Sequence, residues 1–194
     1  MAPRLPAAQR RTQLVDAAMQ IFAAEGYQKT TMDAVAAAAG VTKPVLYQHF
    51  PSKRDLFLEL LRTVGRHLTE MVNLATSGAE SPRAQVEQGF HAYFEFVESR
   101  PDEFRVLFGE GVRVEAEFAA EVLTVERGIA GIVAELIITE GLSKQERLVL
   151  GHGIVGMAER TGRHWIDSGR TGSAQALASG VADLAWSGLR GRPR

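Results

Sequence analysis

With 194 residues and 45% hydrophobic side chains, the chain is long enough for one or two small domains with a real core, which excludes a disordered protein. It has no cysteine, so disulfides, thiolate chemistry and cysteine metal sites are excluded. The net charge of −1 conceals a division: seven Lys/Arg against four Asp/Glu leave +3 on residues 1–55, and fifteen against nineteen leave −4 beyond them, a basic head on an acidic body.

Residues 1–9 read as a flexible basic arm punctuated by prolines. With Arg10 and Arg11, its Arg4 is suited to follow a phosphate backbone or enter a minor groove. A first helix follows, with Leu14, Ala17, Ala18, Ile21 and Phe22 on one apolar face, ended by Gly26. Thr30 and Asp33 have the spacing of a capping box for a second helix. Met32, Val35, Ala36 and Ala39 form its inner stripe, and Gly40 stops it. Val41 is expected to plug between this helix and the next. Thr42 opens the third helix, Pro44 sits harmlessly in its first turn, and Leu46 and Phe50 point inward. Lys43, Pro44, Val45 and Gln48 lie roughly opposite, with Tyr47 and His49 on the flanks. Two short helices joined by a glycine turn make a helix-turn-helix, here residues 31–50. Its second helix is able to place side chains in the major groove of DNA. On that outward face Lys43 suits a guanine or phosphate, Pro44 and Val45 a thymine methyl, and Tyr47 and His49 flanking phosphates. Ser52 and Asp55 cap a fourth helix, whose first-turn Lys53 is placed for a phosphate.

Beyond the head the pattern stays helical. The fourth helix is expected to run to about Ala75, with Leu56, Leu60 and Val64 on its apolar side, as a lever between head and body. Ser81-Pro82 and Arg100-Pro101 open two more helices, and Gly109 and Gly111 break the second of these. A long helix is expected from about Val114 to Glu140. Ser143 with Glu146 caps another, lasting to about Ser168, and a final one covers about Ser173 to Leu189. The spacing thus predicts an all-α protein of about nine helices: a DNA-binding head at 10–55, a body at 56–189 and a loose tail at 190–194.

The long motif resembles the tetracycline-repressor (TetR) family of bacterial transcription regulators. The resemblance rests on Thr30-Thr31, Ala39-Gly40-Val41, Leu46-Tyr47-Gln48-His49-Phe50 and Lys53, and covers residues 10–56. It implies a DNA-binding surface of Thr31, Thr42, Lys43, Pro44, Val45, Tyr47, His49 and Lys53, and a carboxy-terminal ligand-binding and dimerisation domain. Pro44 departs from the family pattern, where many members have glycine or alanine. It stiffens the helix start and leaves one amide fewer for phosphate.

In the body, the stripe of Phe90, Tyr93, Phe94 and Val97 is either plain core or one wall of a cavity. The resemblance favours the cavity, with Phe90, His91, Tyr93, Phe94, Arg105, Phe108, His152, Glu159 and Trp165 as candidate lining for a lipophilic effector. Glycine is costly inside helices, yet Gly151, Gly153, Gly156 and Gly162 crowd the penultimate one, which implies close approach. Gly153 and Gly156 with Leu177, Val181 and Leu184 are the expected homodimer seam, half of a four-helix bundle. A dimer is needed because one recognition helix reads few bases, and two heads would read a palindromic operator. The expected function is a ligand-responsive repressor released by its effector. The rivals are a helical protein adaptor and, less favoured, an enzyme. His152 and Glu159 share a helix face but His164 is rotated by about 120°, and there is no Gly-rich phosphate loop, no nucleophile elbow and no His-Glu-x-x-His. No cofactor or metal is expected. The longest apolar run, Ile129 to Ile138, is too short to span a bilayer, so no membrane contact and a cytoplasmic location are expected.

Overall fold

The computed structural model describes residues 6–109, 111–138 and 141–190; Arg4 of the expected arm and tail residues 191–194 lie outside them. Among the described residues the secondary structure is helical throughout: α1 (Ala7–Lys29), α2 (Met32–Ala38), α3 (Lys43–His49), α4 (Lys53–Ser77), α5 (Pro82–Ser99), α6 (Pro101–Phe108), a 3₁₀ turn (Val112–Val114), α7 (Ala116–Leu136), α8 (Lys144–Asp167) and α9 (Ala174–Arg190). None is long and apolar enough to cross a membrane.

Local chemistry accounts for most boundaries. Gly26 interrupts α1 with φ of 75°, where only glycine is comfortable, and a last turn, Tyr27–Lys29, follows it. Ser81 accepts the Ala84 amide with Pro82 behind it, and Ser143 and Glu146 form the reciprocal capping box. Other expectations are corrected. The cap of α2 is Thr31, whose hydroxyl accepts the Ala34 amide, while the buried Thr30 hydroxyl donates to the Gly26 carbonyl. Asp33 pairs with Lys43 instead of reaching back to a cap. Thr42 opens α3 as expected, in extended backbone and without a side-chain bond. Helix α1 begins at Ala7, so residues 7–9 of the expected arm are helical, and α7 ends at Leu136, before the β-branched Ile137 and Ile138, which are poor at prolonging a helix, while the expected end at Glu140 lies outside the described residues.

The chain forms two compact units. One comprises the chain up to Val64 together with Asp102–Val122; the other comprises Gly65–Pro101 and the chain from Leu123 onward. The core of the first unit is built from Leu14, Ala18 and Phe22 of α1, Val35 and Ala36 of α2, Leu46 of α3, Phe50, and Leu56, Phe57 and Leu60 of α4. An aromatic cluster extends it: Phe57 packs on Phe22, Tyr27 and Phe118 with ring centroids 4.9, 5.0 and 4.8 Å away. Burying such side chains stabilises by about 1.5–3 kcal/mol each. Above this cluster Arg54 pairs with Glu117, and Arg62 with Glu121.

In the second unit α5 and α9 make the most extensive contact, and α8 packs on both. The buried face of α5 is Phe90, Tyr93, Phe94 and Val97, the predicted stripe. Helix α8 turns Gly151, Ala158, Gly162 and Trp165 inward. A Cβ on Gly151 would collide with the Ala130 carbonyl oxygen, so α7 and α8 meet there closer than any larger residue permits.

Candidate functional site

Helix α3 is held from behind and presented in front. Leu46 and Phe50 are fully buried, whereas Thr42, Lys43, Pro44, Tyr47 and Gln48 are exposed, and Val45, His49 and the linking Val41 are half-buried. Tyr47 leaves 41% of its surface open, although it directly follows the fully buried Leu46. Thr31 is exposed at the start of α2 while it caps that helix. Lys43 donates to Asp33 at 2.9 Å on the surface, and that bond raises the Lys43 pKa, so the ammonium stays charged. An exposed pair of this kind contributes little to stability. It sets Lys43 in place and yields it to a stronger anion.

Three side chains fix the helix ends: Arg11 and Lys53, which the sequence marks only for DNA, and Gln13, which it does not mark. Arg11 donates to the His49 carbonyl at 3.0 Å, lies 4.3 Å above the Phe50 ring and pairs with Glu59 at 3.2 Å. It thereby supplies the last turn of α3 with a cation, the favourable sign at a helix carboxy end. Gln13 donates to the Ala39 carbonyl at 2.9 Å, closing α2 in the same manner. Lys53 donates to the Tyr27 and Thr30 carbonyls at 2.8 and 2.9 Å and sits 4.5 Å from the Tyr27 ring. The Lys53 ammonium therefore serves the end of α1 in this structure. The sequence signal for these roles is weak, because each partner is more than twenty residues away.

The structure brings some of the expected effector-site residues together and leaves others apart. Phe90 and Phe94 stack at 6.4 Å, and Tyr93 meets Phe94 edge-on at 5.3 Å. The Tyr93 hydroxyl is buried without a hydrogen-bond partner, and burial, reinforced by the nearby Glu159 charge, pushes its pKa well above 10.0. Glu159 accepts from Arg163 at 2.7 Å. Trp165 is buried and donates to the Thr171 carbonyl at 3.2 Å. His91 is half-buried, and His152 lies on the exposed face of α8. Arg105 and Phe108 belong to the first unit, where Arg105 pairs with Asp102 and Phe108 packs on Phe104.

The expected seam divides the glycines of α8. Gly151 and Gly162 face the protomer's interior, whereas a Cβ on Gly153 or Gly156 would meet nothing within 4 Å. Leu184 is 66% exposed and Val149 61% exposed, while Leu177 is half-buried and Val181 buried.

Residues 14–60 match the family described as bacterial regulatory proteins, tetR family, and residues 82–188 match the tetracyclin repressor-like carboxy-terminal domain. The chain belongs to the TetR family. It is accordingly a DNA-binding transcriptional regulator. The HTH-type transcriptional activator FasR of Mycolicibacterium smegmatis is 32% identical over 187 residues, spanning 96% of this chain and 85% of that protein. A TetR-like transcriptional regulator from Rhodococcus sp. RHA1 superposes with a TM-score of 0.80 at 30% identity, covering 97% of this TetR chain and all of its own. The fold is shared also with FadR from Bacillus subtilis, solved in complex with stearoyl-CoA, at TM-score 0.80 and 20% identity over 91% of this chain and 98% of that one.

Proposed function

We propose that this TetR regulator reads a palindromic operator as a homodimer, through Thr31, Thr42, Lys43, Pro44, Val45, Tyr47, His49 and Lys53, and that a lipophilic small molecule controls its grip. The observation that carries the reading is the outer face of α3: a run of exposed polar and small apolar side chains backed by the fully buried Leu46 and Phe50. Such a face offers phosphate donors beside groups that touch base edges, the mixture that sequence-specific contact needs.

The dimer is proposed on the outer faces of α8 and α9, where Gly153, Gly156 and Leu184 stand open, with Leu177 and Val181 behind them. The effector is proposed to lie against the aromatic wall of α5, with Tyr93 as its polar contact. Stearoyl-CoA, bound by the B. subtilis FadR, is the first compound to try. The effector acts only through its differential affinity for the dimer's DNA-competent and incompetent states; a tenfold preference moves that equilibrium by about 1.4 kcal/mol. Whether tight binding blocks or recruits polymerase follows from where the operator lies. Repression is thus proposed for an operator overlapping a promoter, although FasR is an activator.

Selection of bound fragments from a random DNA pool tests the reading. The expected result is one inverted repeat with half-sites about 10–10.5 base pairs apart, centre to centre, or a multiple of that. Tyr47→Ala should weaken binding to it by tenfold or more while leaving the dimer intact. A pool that enriches for no sequence overturns the reading.

A further inference from the structure

Asp33 puts a negative charge beside the outer face of α3. It lies in the first turn of α2, and its carboxylate reaches Lys43, ten residues on and the first residue of α3. The Lys43 ammonium is 2.9 Å from Oδ1 and 3.0 Å from Oδ2. The two side chains are 67% and 50% exposed, so both charged groups are open to a docked duplex.

Two observations set this pair apart from an ordinary surface ion pair. The dipole of α2 favours an acid in its first turn. Thr31 already caps that helix, however, and the dipole does not account for the aim of Asp33 at a lysine of the next helix. Secondly, other cations of the head are also held by acceptors within the chain: Arg11 by the His49 carbonyl and Glu59, Lys53 by the Tyr27 and Thr30 carbonyls, and Arg54 by Glu117. Of these four cations, Lys43 alone stands on α3. Sequence-independent binding runs on cations that neutralise phosphates. A head whose cations are engaged internally is poor at it.

The pair treats a base and a phosphate differently. An ammonium has three N–H groups. Asp33 takes two of them at most, which leaves one for the O6 or N7 of a guanine, and the first residues of a recognition helix are the ones that meet base edges. Lys43 is thus able to read a guanine without leaving Asp33. A phosphate that draws the ammonium away leaves the Asp33 carboxylate bare beside a polyanion, where like charges repel. Specificity is a difference of affinities, and penalising the wrong contact raises it as surely as improving the right one.

We infer that Asp33 is a specificity-determining residue: it confines Lys43 to a base edge and penalises the use of that lysine on phosphate. The inference rests on the reading of α3 as the recognition helix and deepens it.

The test is a fluorescence-anisotropy titration of the full-length protein at several salt concentrations on two duplexes, the inverted repeat recovered by selection and a scrambled duplex of equal length. The variants are Asp33→Asn, Asp33→Glu, Lys43→Met, the double variant Asp33→Asn with Lys43→Met, and Asp16→Asn, which removes an equal, exposed charge from α1. Asp33→Asn should bind the scrambled duplex about fivefold tighter near 0.1 M salt, and its slope of log affinity against log salt should steepen by about one, because one more phosphate is neutralised. Its preference for the repeat should fall by a similar factor. Asp33→Glu should keep the parent's preference, and in the Lys43→Met background Asp33→Asn should leave the slope as it is. An unchanged slope on scrambled DNA in Asp33→Asn, an equal gain on both duplexes, the same effect from Asp16→Asn, or the same effect in the Lys43→Met background each overturns the inference. Lys43→Met separates the two readings. If it binds both duplexes as the parent does, the assignment of Lys43 to DNA fails and the inference with it. If it weakens binding to the repeat while Asp33→Asn behaves as the parent, the inference alone fails. Melting curves verify that the variants fold, and Asp33→Ser replaces Asp33→Asn if that variant melts early.

Discussion

Replacing Gly153 and Gly156 of α8 by alanine should stabilise the protomer and weaken the dimer. In the protomer neither new methyl meets an atom within 4 Å. Glycine inside a helix is about 0.8–1.0 kcal/mol less favourable than alanine. The double variant therefore gains roughly 1.5–2 kcal/mol in protomer stability from helix propensity alone. Against a closely fitted second copy, the same methyls overpack the seam, at a cost of about 1–3 kcal/mol per site. A two-fold axis repeats that cost. Since about 1.4 kcal/mol is tenfold, the dimer dissociation constant should rise at least tenfold. Gly151→Ala is the control with the opposite sign: its methyl meets the Ala130 carbonyl oxygen inside the protomer. The collision should outweigh the propensity gain and lower protomer stability, by about 1 kcal/mol or more. Sedimentation equilibrium gives the dimer constant, and urea unfolding of dilute protein gives protomer stability. A double variant that is more stable yet dimerises as before would refute the seam, because close approach is the only cause proposed for these two glycines.

Three further outcomes are expected. Arg11→Met should lose the bond to His49, the Phe50 contact and the Glu59 pair, costing about 1–2 kcal/mol in urea unfolding; operator affinity should fall with it, because the end of α3 is freed. Lys53→Met should destabilise by about 1–3 kcal/mol through the carbonyls at the end of α1. If Lys53 also meets a phosphate, the slope of log affinity against log salt should drop by about one, and an unchanged slope confines the residue to its structural part. Tyr93 is an acid with a raised folded pKa, so the folded state keeps a proton that the unfolded chain releases. Its contribution is whole below pH 10 and is lost as pH rises beyond it. Tyr93→Phe removes the unpartnered hydroxyl and this loss together. Stability at pH 7 should be unchanged or up to about 1 kcal/mol higher, and alkaline unfolding should shift to higher pH, whereas a drop of several kcal/mol would show that the hydroxyl has a partner.

The helices were legible because their signals are local. Ser81-Pro82, the Ser143–Glu146 box and Gly26 each act within four residues, and each stands where its chemistry requires. The buried and exposed faces of α3 were legible for the same reason. Adjacent Thr30 and Thr31 were not separable, since either hydroxyl is able to cap α2; what decides is that Thr30 is buried and donates back to Gly26. The anchors Arg11, Gln13 and Lys53 were hidden by distance along the chain, as was the meeting of Phe118 with Tyr27 and Phe57.

The aromatic knot at Phe118 bears on how regulators of this type are cut and joined. Tyr27 and Phe57 lie early in the chain, yet the ring that shields them arrives 61 residues after Phe57, inside Asp102–Val122. A fragment truncated at Val64 would leave those two rings wet and Arg54 and Arg62 without Glu117 and Glu121. Chimeras that graft this reader onto a foreign sensor should therefore transplant two separate stretches of polypeptide, and a splice made after α4 alone should yield insoluble or proteolysed product.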